Sequence, residues 1–186
     1  MRTLILLTTL AVCATLLLGG CTSTIIKEGG GAVFGAKGSF MPIQPIDADK
    51  TARPLGAYQR FELGSITDDI GGRAPGGLIA DLRPAFEKQL QSKKLPNTPG
   101  GKALVIRGRI VHYETSDMLG FALGPLEEVI VRTEFVDADT GQVLGVANCI
   151  GRTKARINAG VKKKAEGLAK AFAGWLDARY PKEGRE

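Results

Sequence analysis

The sequence predicts a two-layer α+β domain, in which a mostly antiparallel sheet of about four strands carries two helices on one face. Two observations support this fold class. Apolar and polar residues alternate in four short segments, as they do in half-buried strands. In two longer segments the apolar residues instead recur at the spacing of an amphipathic helix. The predicted order of elements is β-α-β-β-β-α.

The four predicted strands cover residues 58–63, 103–113, 128–137 and 142–153. The turn Asp-Ala-Asp-Thr-Gly at residues 137–141 predicts an antiparallel hairpin, because aspartate bonds to its own backbone and glycine tolerates a positive φ. One face of the last strand carries only small residues, Gly145, Ala147, Cys149 and Gly151. Such a face lets a helix or another backbone approach closely.

The two faces of the predicted sheet differ in character. The face assigned to the core carries, in residues 103–113, Leu104, Ile106, Gly108, Ile110 and His112. Arg107, Arg109 and Arg132 are predicted on the opposite face, beside Glu134. That second face is expected to be either exposed to solvent or a contact surface for a partner.

The predicted helices cover residues 76–94 and 157–179. The first has an apolar stripe of Leu78, Leu82, Phe86 and Leu90, and Pro84 is expected to kink it or to begin its second half. The second has the stripe Ile157, Val161, Leu168, Phe172, Trp175 and Leu176. Its lysines at positions 162, 163, 164 and 170 are assigned mostly to the solvated face, with contact to anionic lipid as the alternative for the run 162–164.

The first twenty residues have the features of a secretory signal peptide. Arg2 precedes an apolar run from Leu4 to Leu18, which is too short for a stable membrane span. The following Gly19-Gly20-Cys21 resembles the lipobox of bacterial lipoproteins. This resemblance implies cleavage between Gly20 and Cys21 and a lipid on the Cys21 thiol. An ordinary signal peptide with a chance cysteine fits the spacing less well.

The expected organisation is a signal peptide at 1–20, a flexible tether at 21–54, an α+β domain at 55–179 and a disordered tail at 180–186. Part of the tether is apolar enough to dock on the domain or on a partner. The chain has a net charge of +6, and loss of Arg2 with the signal peptide leaves +5. We expect no nucleic acid partner for an exported protein; anionic lipid or peptidoglycan fits this charge better.

The segment 117–126 joins two predicted strands but is apolar, whereas an exposed hairpin loop is normally polar. Its large apolar residues are Met118, Leu119, Phe121 and Leu123. The segment either folds onto the core or contacts a membrane, a second copy of the chain or another protein.

No set of residues in the sequence predicts catalysis, a cofactor or a metal site. His112 is the single histidine, and a structural role is favoured over a catalytic one. Glu127 and Glu128 are adjacent on a strand and should point to opposite faces, so they cannot flank one bond. Cys149 lacks a partner for a disulfide and is expected to be a buried structural residue rather than a reactive thiol.

Four features together resemble a family of small bacterial lipoproteins catalogued as domains of unknown function, the 4410 type. They are the lipobox at Cys21, the strand Phe61-Glu62-Leu63, the strand at residues 104–110 and the hairpin at residues 135–144. The resemblance covers most of residues 55–178. It implies no reaction, so it assigns no active residue.

The expected protein is therefore a non-enzymatic lipoprotein of the cell envelope, a binding or accessory module in envelope assembly or transport. Its membrane attachment is the lipid on Cys21, and an envelope protein or a second copy is the expected partner. Because Thr22 rather than aspartate follows the cysteine, lipoprotein sorting implies the periplasmic face of the outer membrane. The alternatives are a lipoprotein that binds lipid or glycan, and a hydrolase of unrecognised type.

Overall fold

The computed structural model describes residues 36–44, 54–114, 127–153 and 160–182. These residues contain five strands, β1 Ala36–Gln44, β2 Arg60–Asp68, β3 Ala103–Tyr113, β4 Glu128–Asp137 and β5 Val143–Thr153. They also contain two α-helices, α1 Gly77–Ser92 and α2 Gly160–Asp177, and a 3-10 turn at Pro54–Ala57. The predicted α+β class is confirmed.

The five strands form one mixed sheet in the order β1-β5-β4-β3-β2. β2 and β3 are parallel, whereas the other three neighbouring pairs are antiparallel. A parallel pair needs a long crossover connection, and α1 provides it between β2 and β3. The prediction of a mostly antiparallel sheet is confirmed in outline, with five strands in place of about four.

The additional strand is β1, which lies inside the segment 21–54 that the sequence assigns to a flexible tether. β1 pairs with β5 from Ala36 opposite Thr153 to Gln44 opposite Val146, with an irregularity after Pro42. Glycine and proline residues weaken the strand pattern in the sequence of β1. The segment is a strand because it pairs with β5, which lies far along the chain. Residues 36–44 therefore dock on the domain, which is one of the alternatives that the sequence predicts for the tether.

The core lies between one face of the sheet and both helices. The predicted stripe of α1 is buried in it, and α1 continues through Pro84 as one helix rather than restarting there. Phe86 of α1 meets Phe172 of α2 edge to face, with a centroid distance of 6.3 Å. Phe135 of β4 stacks on Trp175 of α2 at 3.5 Å. These aromatic contacts hold the two helices against each other and against the sheet.

Helix α2 approaches the sheet closely where glycines of both elements meet. A Cβ atom on Gly167 of α2 would lie 2.6 Å from the carbonyl oxygen of Lys37 and 2.8 Å from Cα of Gly151. A Cβ atom on Gly151 would lie 2.5 Å from the carbonyl oxygen of Lys164. Backbone atoms cannot move aside for such contacts, so both positions require glycine. The predicted close approach at the small-residue face of β5 is confirmed.

Three residues have environments that differ from those predicted. The register shifts between Ile110 and His112, and this bulge turns His112 from the core face to the exposed face. Lys164 is buried rather than solvated, because it finds an acidic partner inside the domain. Tyr180, assigned to the disordered tail, packs edge to face on Phe61 at a centroid distance of 5.9 Å.

Candidate functional site

The face of the sheet opposite the helices carries a cluster of arginines. Arg107 and Arg109 of β3 and Arg132 of β4 are exposed on it, where the alternation of the sequence predicts them. Arg107 is in register with Glu134, whereas Arg109 is in register with Arg132. We call these three residues the arginine face.

The pairing of Arg109 with Arg132 places like charges directly opposite each other across two neighbouring strands. Such a pair destabilises a sheet by a few tenths of a kcal/mol to about 1 kcal/mol. Asp69 Oδ2 lies 3.4 Å from Arg109 Nη1 and offsets one of the two charges. Arg132 makes no ion pair with any of the residues that the structure describes. The arrangement leaves positive charge available to an acidic group from outside the domain.

One end of the exposed face carries a second group of charges. Glu128 Oε2 lies 2.8 Å from Arg152 Nε, its register partner on β5. The His112 side chain, turned outward by the bulge, has Nε2 at 3.9 Å from carboxylate oxygens of both Glu114 and Glu128. Glu127 is instead buried on the helix side. The two adjacent glutamates therefore point to opposite faces, as predicted.

The apolar segment 117–126 lies outside the described residues, but the residues that flank it form a defined base. The Glu114 amide donates to the carbonyl oxygen of Glu128 at 2.9 Å. Lys164 Nζ donates to the carbonyl oxygen of Glu114 at 2.6 Å and lies 2.9 Å from Glu127 Oε2. It also sits 4.2 Å from the ring centroid of Tyr113. One buried lysine thus contacts both flanks of the segment, and we call this group the loop base.

Asp137 organises the opposite end of β4. It accepts hydrogen bonds from the Tyr58 hydroxyl at 2.7 Å and from the amides of Asp139 and Thr140 at 2.9 and 3.0 Å. Lys102 Nζ lies 2.9 Å from the same carboxylate. The Lys102 bond, followed by the Tyr58 bond, holds the pKa of Asp137 well below its usual range. Burial and the bond to Asp137 raise the pKa of Tyr58. This cluster fixes the hairpin turn that the sequence predicts.

Cys149 lies on the helix side of β5 and is fully buried. Burial raises the pKa of its thiol to about 12, so the thiolate is not populated near neutral pH. The predicted buried position is confirmed. Among the residues described, no three histidine, cysteine, aspartate or glutamate side chains are grouped as metal ligands.

A basic groove runs between α1 and α2 on the outside of the helical layer. Its volume is about 560 Å³, and it is lined by Asp81, Pro84, Ala85, Lys88, Gln89, Lys162, Lys163, Glu166 and Lys170. Lys163 pairs with Glu166 at 2.7 Å, and Lys170 Nζ donates to the carbonyl oxygen of Ala36 at 2.7 Å. The sequence points to Lys162 and Lys163, but it does not show that α1 adds Lys88.

Several residues singled out in the sequence lie outside the described residues: Gly20, Cys21, Met118, Leu119, Phe121 and Leu123. Sequence reasoning did not identify the pairing of Lys164 with Glu127. The signal for it is weak, since a lysine within a run of three on an amphipathic helix is normally exposed. In the part of the chain that the structure describes, neither helix is long and apolar enough to cross a membrane.

The described elements define a two-layer α+β domain with an exposed basic sheet face and a basic helix groove. No family model and no curated protein matches the chain. Among solved structures it is similar to two PelC dodecamers from Paraburkholderia phytofirmans, both at 14% identity over 78% of this chain and 99% of theirs, with TM-scores of 0.50 and 0.49. A minor lipoprotein from Acinetobacter baumannii aligns with a TM-score of 0.40 at 15% identity, covering 65% of this chain and 94% of its own. The likeness to the first PelC structure shows a shared fold.

Proposed function

We propose that this chain is a membrane-anchored lipoprotein of the cell envelope, a non-enzymatic module that binds an acidic protein partner in envelope assembly or transport. The observation that carries the proposal is the arginine face. Its Arg109–Arg132 pairing opposes sheet stability, and it presents positive charge on a rigid scaffold. A lipid on Cys21 supplies the anchor, and the periplasmic face of the outer membrane is the proposed location.

The proposed partner surface also includes the apolar segment 117–126, and the loop base supports this part of the proposal. The strands on either side of the segment 117–126 in the chain are paired with each other, and Lys164 contacts the described flanking residues Glu114 and Glu127. An apolar segment whose two flanking residues are fixed is suited to contact another protein. Non-enzymatic binding is also consistent with the divergence of Glu127 and Glu128 and with the burial of Cys149.

Crosslinking in source cells, followed by affinity purification and mass spectrometry, tests the proposal. The arginine-face variant is Arg107→Gln, Arg109→Gln and Arg132→Gln together. The control is Arg73→Gln, Lys94→Gln and Lys182→Gln, which removes the same charge from exposed residues elsewhere. We expect the wild type and the control to capture a defined set of envelope proteins that the arginine-face variant and Cys21→Ala lose. Equal capture by the two triple variants would contradict the proposal.

Replacing residues 115–126 by an Asn-Gly turn tests the loop separately. After this replacement, three residues (Asn, Gly and Glu127) connect Glu114 to Glu128. Because Glu114 and Glu128 already share a main-chain hydrogen bond, this short loop can close the β3–β4 hairpin. We expect a folded protein with weakened partner capture. Undiminished capture by this folded variant would remove the loop from the proposed surface.

Self-assembly is a second candidate, supported by the edge strand β1. Met41 is 61% exposed and Ile43 is 43% exposed, which is unusual for apolar side chains on a sheet edge. The structures of similar fold from Paraburkholderia phytofirmans are dodecamers. Light scattering coupled to size-exclusion chromatography should then show an oligomer that Met41→Lys with Ile43→Lys dissociates. A protein that stays monomeric at all concentrations would exclude self-assembly.

A further inference from the structure

The groove between α1 and α2 has the composition of a surface that meets anions. Four of its lining residues are lysines, Lys88, Lys162, Lys163 and Lys170, and two are acidic, Asp81 and Glu166. Lys163 is offset by Glu166, and Lys170 is engaged with the main chain of β1. Lys88 and Lys162 are exposed, and neither forms an ion pair with another described residue. The groove therefore has uncompensated positive charge contributed by both helices.

The form of the groove favours an extended anionic surface over one small anion. A site for a small anion converges several donors in a buried pocket. Here the lysines are spread along two helices and remain solvated, so they act as a diffuse charge. Recognition of many phosphates at once by scattered lysines is the usual basis of protein binding to anionic lipid.

The groove contacts the start of β1, the described residue that is nearest in sequence to the proposed anchor. Lys170 lines the groove, and its ammonium group donates to the carbonyl oxygen of Ala36, the first residue of β1. Fifteen positions separate Ala36 from Cys21, so the intervening chain can span at most about 50 Å. A lipid on Cys21 would keep the groove within that distance of the bilayer.

We propose that this groove docks on the anionic lipid headgroups of the membrane that holds the anchor. The groove lies on the helix side of the domain, opposite the arginine face. Docking through the helices points the arginine face away from the bilayer, where a protein partner can reach it. The lipid chain and the groove then act as two linked attachments to the membrane. The groove is the weaker of the two, and it sets the orientation of the domain.

Vesicle co-sedimentation tests the docking in the absence of the lipid chain. The protein is residues 21–186 with Cys21→Ala; residues 35–186 form one compact unit, so this chain retains the whole fold. The vesicles are phosphatidylcholine alone or phosphatidylcholine with phosphatidylglycerol. The groove variant is Lys88→Gln, Lys162→Gln and Lys163→Gln. The matched control is Arg73→Gln, Lys94→Gln and Lys182→Gln, which removes the same charge from exposed residues outside the groove and the arginine face. Circular dichroism verifies that each variant is folded.

We expect the wild type to bind only the vesicles that contain phosphatidylglycerol, and to be released in high salt. Loss of three lysines near the surface should weaken binding about 10- to 100-fold, whereas the control should change it by less than about threefold. Equal weakening in both variants would show that net charge alone acts, and it would overturn the docking site. Failure of the wild type to bind at low salt would also overturn it. Displacement of the protein from the vesicles by millimolar inorganic phosphate would show that the groove is a site for free phosphate, and it would overturn the membrane docking.

Discussion

Lys164 and Glu127 form an ion pair at 2.9 Å although their side chains are only 1% and 8% exposed. A buried ion pair contributes little net stability, since the attraction roughly offsets the loss of hydration. Removing one partner is costly, because the other charge stays buried without compensation. The pair joins α2 to Glu127, the residue that follows the segment 117–126 in the chain.

Replacement of Lys164 by methionine should lower the free energy of unfolding by about 3–5 kcal/mol. The methionine fills much of the lysine volume, and the loss therefore reports the removal of the lysine charge from beside the buried Glu127 carboxylate. Urea denaturation followed by the fluorescence of Trp175, the one tryptophan, measures it. The double variant Lys164→Met with Glu127→Gln should recover at least half of the loss. An equal loss of unfolding free energy in the single and the double variant would show that lost packing, rather than the buried charge, causes it.

Two interior glycines of α2, Gly167 and Gly174, predict opposite responses to the same substitution. A Cβ on Gly167 collides with backbone atoms of β1 and β5, so Gly167→Ala should destabilise the domain by about 1–3 kcal/mol. A Cβ on Gly174 meets only the Phe40 ring at 3.6 Å, an ordinary contact. Gly174→Ala should therefore stabilise the helix by about 0.5–1 kcal/mol. Thermal unfolding of the two variants distinguishes them, and stabilisation by both would contradict the close approach.

The Asp137 cluster predicts a specific dependence on pH. Since the folded pKa of Asp137 is depressed, its contribution is fully present above the ordinary pKa of about 3.9 and is lost as the pH falls toward the folded value. The stability difference between wild type and Asp137→Asn should be constant from neutral pH to about pH 5 and narrow only below about pH 4. Urea midpoints across this range measure it. A difference that already narrows between neutral pH and pH 5 would assign the effect to another group.

Charge reversal at the arginine face should depend on the opposing residue. Arg132→Glu converts a repulsive pair with Arg109 into an attractive one and should stabilise the domain by about 0.2–1 kcal/mol. Arg107→Glu faces Glu134 and should destabilise it by a similar amount. Both variants change the net charge equally, so thermal unfolding at low salt separates the local pairing from the total charge. Shifts of the same sign would refute the register argument.

Much of the fold follows from periodicity in the sequence. The stripe of Leu78, Leu82, Phe86 and Leu90 identifies α1, and the alternation in residues 128–137 identifies both the strand and its buried face. Arg107 and Arg109 could be placed on the exposed face because side chains in a strand alternate. These signals are local, and a local pattern is sufficient where one face of an element is buried.

The features that the sequence did not reveal depend on distant partners. β1 is a strand because it pairs with β5 and because Gly38, which has no Cβ atom, lets it pass close to α2; a Cβ there would lie 2.6 Å from the Ala171 amide nitrogen. Lys164 is buried because it pairs with Glu127, which is also buried. The bulge that turns His112 outward shifts the register by one residue, and no local pattern records it. The basic groove is equally hidden, since it exists only where α1 and α2 lie side by side.

The position of β1 has a consequence for the order of folding. It comes before every other element of the domain in the chain, yet its ladder partner is the last strand and the helix above it is the last helix. Contacts between such distant segments form slowly, because the long intervening chain must first be ordered. Until β5 has been made, β1 stays unpaired and able to join another chain. A polypeptide emerging from its N-terminus therefore needs protection from pairing with other chains until β5 has appeared.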